Sequence, residues 1–282
     1  MTNKIITIST IFSIVFISSC KVEEVLVPSD PVDYNSYLHL SHTRTGANPY
    51  MDEMVDAIDY SKYEMLLLGG DLAFSTSLDD ETMSHIDSIF DLSNPNTLWS
   101  LGNHDYSDLL RVQEFTDRLP YYAHHKDGIT FIVLDTQDSL SNIIGEQKIL
   151  FENVVDTLEK SSHLILLHHK LIWMYGNSDL EPNISLVSNG GLGDCFYCLN
   201  PNNFYTDIYP SLVEVKQKGI EVICIGGDIG SKTDKFEYTS QEGIYFLASG
   251  IKAGESDNKA LLFEHDVSNN YLTWEYKLII DL

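Results

Sequence analysis

Four apolar stretches of the 282-residue chain end in side chains that can bind metal ions. EMLLLGGDLA delivers Asp71 through Gly69 and Gly70, TLWSLGNHD delivers Asn103 and His104, SSHLILLHHK delivers His168 and His169, and EVICIGGDIG delivers Asp228. A carboxylate pair, an amide oxygen and an imidazole suit a hard or borderline divalent cation such as Mn, Fe, Zn or Mg. Singly, each ending has a plain structural meaning: Gly-Gly-Asp makes turns, Asn103 or Asp105 can cap a helix, and a histidine ending a strand is commonly packed and hydrogen-bonded. Four such endings, each behind an apolar strand, point to one site. A fifth stretch, HLSHTRTG over residues 39–46, presents His42 and Arg44 two residues apart, on one side of a strand end. The imidazole can ligate, whereas the guanidinium stays protonated and has no lone pair to give.

These residues need elements to carry them. Apolar runs predict strands at 36–41, 64–69, 97–101, 129–135, 163–168, 221–226, 243–249, 259–265 and 271–279, and helical spacing predicts helices at 50–60, 79–90, 106–117, 145–160 and 208–218. Interleaved strands and helices predict a layered α/β or α+β domain. The last strands follow one another without helices, which predicts a second, antiparallel sheet. Residues 174–207, rich in Asn, Gly and Tyr, form the longest irregular stretch, of a length found in lids and binding loops. Tyr121, Tyr122, His124 and His125 read as a hairpin edge. At 43% hydrophobic and 21% charged residues, the chain can fill a large core, and disordered and fibrous readings are excluded. The net charge of −25 repels DNA, RNA and anionic headgroups alike, so nucleic acid is excluded as a partner and any phosphorylated substrate must be small.

The order GGD, GNHD, a strand ending in HH and a strand with a Gly-rich ending resembles the calcineurin-like metallophosphoesterases over roughly residues 36–280. GITFIVLDTQDS followed by GEQKILFENVVDTLEKSSHLILLHHK is similar to that family's middle segment. The resemblance implies a four-layer α/β/β/α sandwich of two mixed β-sheets flanked by helices, with two metals bridged by one aspartate. One metal would use Asp71, Asn103, His168 and Asp228, with His169 packed behind the ligands. By their places in the chain, Asp135 and Gln137, just after the strand FIVL, read either as orienting a histidine or as a simple turn, and Lys170 and Trp173, just beyond the histidine strand, read as lining the pocket mouth.

Two motifs depart from the family pattern. SHTR stands where Ser-Asp-Thr-His is usual, so His42 replaces an aspartate and Arg44 a histidine; Gly227-Asp228-Ile229-Gly230 stands for Gly-His-x-His, so Asp228 and Gly230 replace histidines. The second metal thereby loses two of its four ligands, and Arg44 enters its place. The expectation is a single-metal hydrolase of a small phosphomonoester or phosphodiester, in which metal and guanidinium surround the phosphoryl oxygens and the metal acidifies a water. His104 would protonate the leaving oxygen or steady the transition state, and His42 would ligate, orient the water or act as base. The competing reading is a turnover-deficient relative that binds a phosphorylated, sulfated or glycan ligand.

Residues 1–19 have the composition of a signal peptide, and Ile17-Ser18-Ser19-Cys20 resembles the lipobox of bacterial lipoproteins, which implies acylation of Cys20 and a lipid anchor in the cell envelope. Residues 20–35, with Pro28 and Pro31, read as a tether, leaving 36–282 as the domain. Cys224 reads as a core residue. Cys195 and Cys198, in CFYC, lack the second pair of a zinc site and are expected as a local disulfide in an exported protein, or else as two free thiols.

Overall fold

The apolar runs pair into two sheets, seen in a computed structural model that describes residues 34–282. The signal peptide, Cys20 and the tether up to residue 33 lie outside the described residues; Tyr34 and Asn35, assigned to the tether, already begin the first strand. The strands are β1 (Tyr34–Leu40), β2 (Met65–Leu68), β3 (Thr97–Trp99), β4 (Tyr122–Lys126), β5 (Ile129–Val133), β6 (His163–His168), β7 (Glu221–Gly226), β8 (Lys235–Thr239), β9 (Tyr245–Ser249), β10 (Lys259–Asp266) and β11 (Tyr271–Leu278). The helices are α1 (Glu53–Asp56), α2 (Asp80–Phe90), α3 (Leu109–Thr116), α4 (Gly145–Thr157), α5 (Ile184–Val187) and α6 (Tyr209–Gln217).

One sheet has the order β11-β10-β1-β2-β3, the other β4-β5-β6-β7-β9-β8. Both are mixed: β1-β2-β3 and β5-β6-β7-β9 run parallel, and antiparallel strands finish both edges of the second sheet and the β11 edge of the first. Side chains alternate across each strand, and here both faces are buried. Tyr37, Leu67, Phe131, Ile165, Leu167 and Ile225 fill the layer between the sheets. Leu38, Leu68 and Trp99 turn outward onto Met83, Ile86 and Phe90 of α2, while Leu164, Leu166 and Phe246 turn outward onto Phe151 and Leu212 of α4 and α6. The result is the expected four-layer α/β/β/α sandwich.

Several boundaries move for physical reasons. The Asp108 carboxylate accepts from the amides of Leu110 and Arg111, so α3 begins at 109 and not at 106. The last strands do not build a sheet of their own. β8 and β9 complete one sheet while β10 and β11 complete the other, so the antiparallel pairs close both sheets. β8, KFEYT, escaped prediction because it is a short polar edge strand of alternating exposure. The 174–207 stretch contains α5, a 3-10 turn at Glu181–Asn183 and most of a π-helical turn at Phe204–Ile208.

His163 opens β6 and is 6% exposed, with Nδ1 2.8 Å from Ser162 Oγ. Burial, and then His265, push its imidazole down to about 4. In the unfolded chain a histidine takes its proton near 6.5, so between those values the unfolded state binds more protons and stability falls as pH drops from about 6.5 to about 4. Between about pH 7 and pH 4.5, urea unfolding should show His163→Gln losing on the order of 2 kcal/mol less than the wild type. Equal losses would refute the assignment.

Candidate metal and phosphoester site

β2 ends in Gly69 and Gly70, and the chain then turns through Asp71 in the left-handed region (φ 56°). β3 leads to Gly102 and a 3-10 turn, Asn103–Asp105. Asp105, fully buried, clamps these two loops: its carboxylate accepts from the amides of Asp71 (2.7 Å), Gly102 (2.8 Å) and Leu72 (3.1 Å) and from the Thr76 hydroxyl. A Cβ on Gly102 would overlap Asp71 Oδ1, so only glycine lets the loops approach this closely. Asp71 Oδ1 in turn accepts from the His104 amide at 3.0 Å. The sequence offers Asp105 only as a possible helix cap, although it stands as the fourth letter of GNHD.

The two histidines at the end of β6 are placed opposite to expectation: His169, and not His168, faces Asp71 and Asp228. His168 Nδ1–H donates to the Lys170 carbonyl at 2.8 Å, and His168 is not among the residues lining the cavity. His169 Nδ1–H donates to the Gly69 carbonyl at 2.7 Å, and its Nε2 stands 3.6 Å from Asp71 Oδ1 and 3.8 Å from Asp228 Oδ1. Residues 165, 167 and 169 share the inter-sheet face of β6 by alternation, and the site forms where the sheets meet.

Arg44 Nε lies 3.9 Å from the other oxygen of Asp71, Oδ2. His42, itself left-handed (φ 51°), donates from Nδ1 to the Ile251 carbonyl at 2.9 Å, leaving Nε2 buried and without a partner. At Gly230 (φ 121°) a Cβ would sit 2.6 Å from the Ile251 oxygen and 2.7 Å from His42 Nδ1. The His42 ring therefore fills the space that a side chain at 230 would need. Asp228 Oδ2 accepts from Ser188 at 3.0 Å.

His42, Arg44, Asp71, Asn103, His104 and Asp228 line one cavity of 310 Å³ together with Asn189, Gly190 and Tyr197 of the 174–207 stretch and with Ser231, none of which the sequence singled out by residue. The remaining candidates lie elsewhere. Asp135 accepts from the Tyr106 hydroxyl (2.6 Å) and from the Gln137 and Asp138 amides, and it orients no histidine. Gln137 is buried with its amide atoms unpartnered. Lys170 and Trp173 are fully buried and do not line the mouth: Lys170 Nζ donates to Asn200 Oδ1 at 3.1 Å, and Trp173 stacks on Phe246. His124 and His125 sit on β4, in the edge hairpin, and are not among the cavity-lining residues. Cys195 and Cys198 form a disulfide, and Cys224 is buried.

The electrostatics single out one point. Burial pushes the Asp228 carboxyl up to about 6 against the pull of His169. Burial opposes charge on Asp71 as well, but His169, His104 and His42 outweigh it and hold that carboxyl low. His169 is held above the ordinary imidazole value, because Asp71 and Asp228 together overcome its burial. A carbonyl can only accept, so the Gly69 bond leaves a neutral His169 with a bare Nε2 lone pair facing two carboxylates. The two carboxylates and Nε2 need a positive charge among them, which either a proton on Nε2 or a bound cation supplies. Among the described residues no three His, Cys, Asp or Glu side chains close into a finished chelate. Separations of 3.6 and 3.8 Å are nonetheless near the roughly 3.4 Å that tetrahedral ligand bonds would leave between donors. The donor set of Asp71, Asp228, His169 and Asn103 fits a divalent ion; Arg44 and Gly230 do not fit a second.

No family profile and no curated protein sequence matches the chain. Among solved structures it is similar to a dimetal phosphatase from Danio rerio, with a TM-score of 0.51 and 11% identity over 89% of this chain and 97% of that one. Weaker likenesses are to the NAD nucleotidase of Haemophilus influenzae (TM-score 0.41, 14% identity, 87% of this chain and 50% of that one) and a metallophosphoesterase from Sphaerobacter thermophilus (TM-score 0.36, 11% identity, 87% and 88%). The first likeness shows the fold, that of the phosphoesterase sandwich; the weaker ones add nothing to it, and a shared fold does not carry a substrate.

The Asp105 clamp gives a direct test. Asp105→Ala strands three buried amides and should cost on the order of 3 kcal/mol or more in urea unfolding, with Asp105→Asn costing less because one acceptor oxygen remains. A loss below about 1 kcal/mol for the alanine variant would show that the clamp is dispensable.

Proposed function

We propose that the chain is a metal-dependent phosphoesterase acting on a small phosphomonoester or phosphodiester, with one divalent ion held by Asp71, Asn103, Asp228 and His169. The observation that carries this reading is the convergence of His169 Nε2, which has no hydrogen-bond partner, with the buried carboxylates of Asp71 and Asp228 at 3.6 and 3.8 Å. An ion bound there supplies positive charge to the phosphoryl oxygens and acidity to a water. Arg44, on the far oxygen of Asp71, donates to the same phosphoryl group and stands in place of a second ion. As the water oxygen bonds to phosphorus and the bond to the leaving oxygen breaks, two protons must move. His42 Nε2, bare beside Asp71, accepts one from the water. His104 donates from Nδ1 to the Phe74 carbonyl at 2.5 Å, so Nε2 is its proton-carrying atom for the leaving oxygen.

Titrating dialysed protein with Mn²⁺ by calorimetry should give about one ion per chain in the wild type and in His168→Ala, and none in His169→Ala. Binding unaffected by His169→Ala would overturn the ligand set. With Mn²⁺, hydrolysis of 4-nitrophenyl phosphate or its bis-ester should fall on the order of 100-fold in His104→Asn. Metal binding without turnover would favour the second reading, a phosphate or sulfate binder; the fixed guanidinium in place of a second ion is the observation on its side.

We also infer that Cys20 carries a lipid that anchors the domain to the bacterial cell envelope, on the support of the Ile17-Ser18-Ser19-Cys20 sequence. Labelled palmitate should enter the wild type and not Cys20→Ala; equal labelling would refute it.

A further inference from the structure

Beyond the ligands and proton carriers, the cavity has one wall that the reaction chemistry does not use. We propose that the disulfide-closed turn Cys195–Cys198 receives the leaving group and selects esters of planar aromatic or heteroaromatic alcohols. This rests on the phosphoesterase reading and adds a substrate class to it.

Tyr197 is 58% exposed and yet lines the same cavity as Arg44, Asp71 and His104, and its neighbour Phe196 is 45% exposed with its ring 5.8 Å from that of Tyr106. A tetrapeptide that holds two aromatic rings in water at the mouth of a site has them available for contact. At 310 Å³ the cavity has room for more than a phosphoryl group. Arg44 is the only cation lining it among the described residues, so nothing on the outer wall would hold a second anionic group. An uncharged planar group stacked on Tyr197 suits that wall.

The wall is also rigid and tied to the site. Asn200 Nδ2 donates to the carbonyls of Gly193 (2.9 Å) and Cys195 (3.1 Å), and Asn200 Oδ1 accepts from the buried Lys170 ammonium and from Ser141, each at 3.1 Å. Lys170 directly follows His169. The Cys198 amide donates to the Cys195 carbonyl at 3.1 Å, and a Cβ on Gly190 would overlap the Tyr197 carbonyl, so the turn is held from both sides. A stacking surface fixed in advance loses little entropy when it is used.

The test compares 4-nitrophenyl phosphate with glycerol 2-phosphate on the Mn²⁺-loaded protein. The ratio of kcat/KM for the aromatic over the aliphatic ester should fall about tenfold in Tyr197→Ala, through KM and not kcat. The Cys195→Ser/Cys198→Ser double variant should lower the same ratio. Calorimetric affinities for phenylphosphonate and methylphosphonate give a second readout that needs no turnover. If neither ester is hydrolysed but phenylphosphonate binds preferentially and loses that preference in Tyr197→Ala, the wall stands and the phosphoesterase reading falls. An unchanged ratio with unchanged phosphonate preference, or equal losses on both probes, would overturn the wall.

Discussion

The hydrogen bond from His169 Nδ1–H to the Gly69 carbonyl crosses from one sheet to the other, and the chemistry of the site depends on it. Net, such a bond contributes about 1 kcal/mol, far less than the apolar layer that joins the sheets. Its weight lies in direction, since it fixes the tautomer and aims Nε2 at Asp71 and Asp228. Two further bonds repeat the arrangement: Ser41 Oγ donates to the Gly227 carbonyl at 2.8 Å, and His42 Nδ1 to the Ile251 carbonyl at 2.9 Å. Each joins a loop after a strand of one sheet to a loop after a strand of the other. The seam that closes the sandwich at this end is thus the frame on which the candidate ligands are mounted.

The same end concentrates buried acid, and the four carboxylates are not equally provided for. Asp105 has three amides and a hydroxyl, and Asp135 has a phenol and two amides. Asp71 has one amide with Arg44 at the edge of contact, and Asp228 has one serine. The two that lack donors are the two that face His169. Hydrogen bonding alone accounts for Asp105 and Asp135 as structural groups. It leaves the need for added positive charge at one place, and that localisation is independent of any family pattern.

The sequence made the architecture legible because both sheets are buried on both faces, which writes each central strand as a continuous apolar run ending in a polar cluster. The same property hid the order of His168 and His169. Where a strand has one wet face, alternation shows which residues point inward; in HLILLH every residue is buried and neither parity stands out. Register supplies the missing information, and register is tertiary. Asp105 was hidden for another reason: its role rests on two loops meeting, with no periodicity to mark it, and the same holds for the individual lining residues within the 174–207 stretch, whose length alone marked it as a binding loop. β8 was missed because an edge strand with a polar outer face carries little apolar signal.

His42 and Gly230 are coupled through the space they share. The His42 ring needs the space beside Gly230, and a side chain at 230 would have to displace either that ring or the Ile251 carbonyl that orients it. A histidine placed at 230 alone therefore meets backbone as well as side chain, in a conformation (φ 121°) that L-residues rarely adopt. The fixed guanidinium of Arg44 carries the positive charge on that side of Asp71 without any ion to recruit. In a body of net charge −25 this matters for what can approach. Extended polyanions meet repulsion along their whole length, whereas a small ester needs only the few ångströms between Arg44 and His169 to be favourable. The charge pattern and the size of the cavity thus act in the same direction, against extended polyanions and for small ligands.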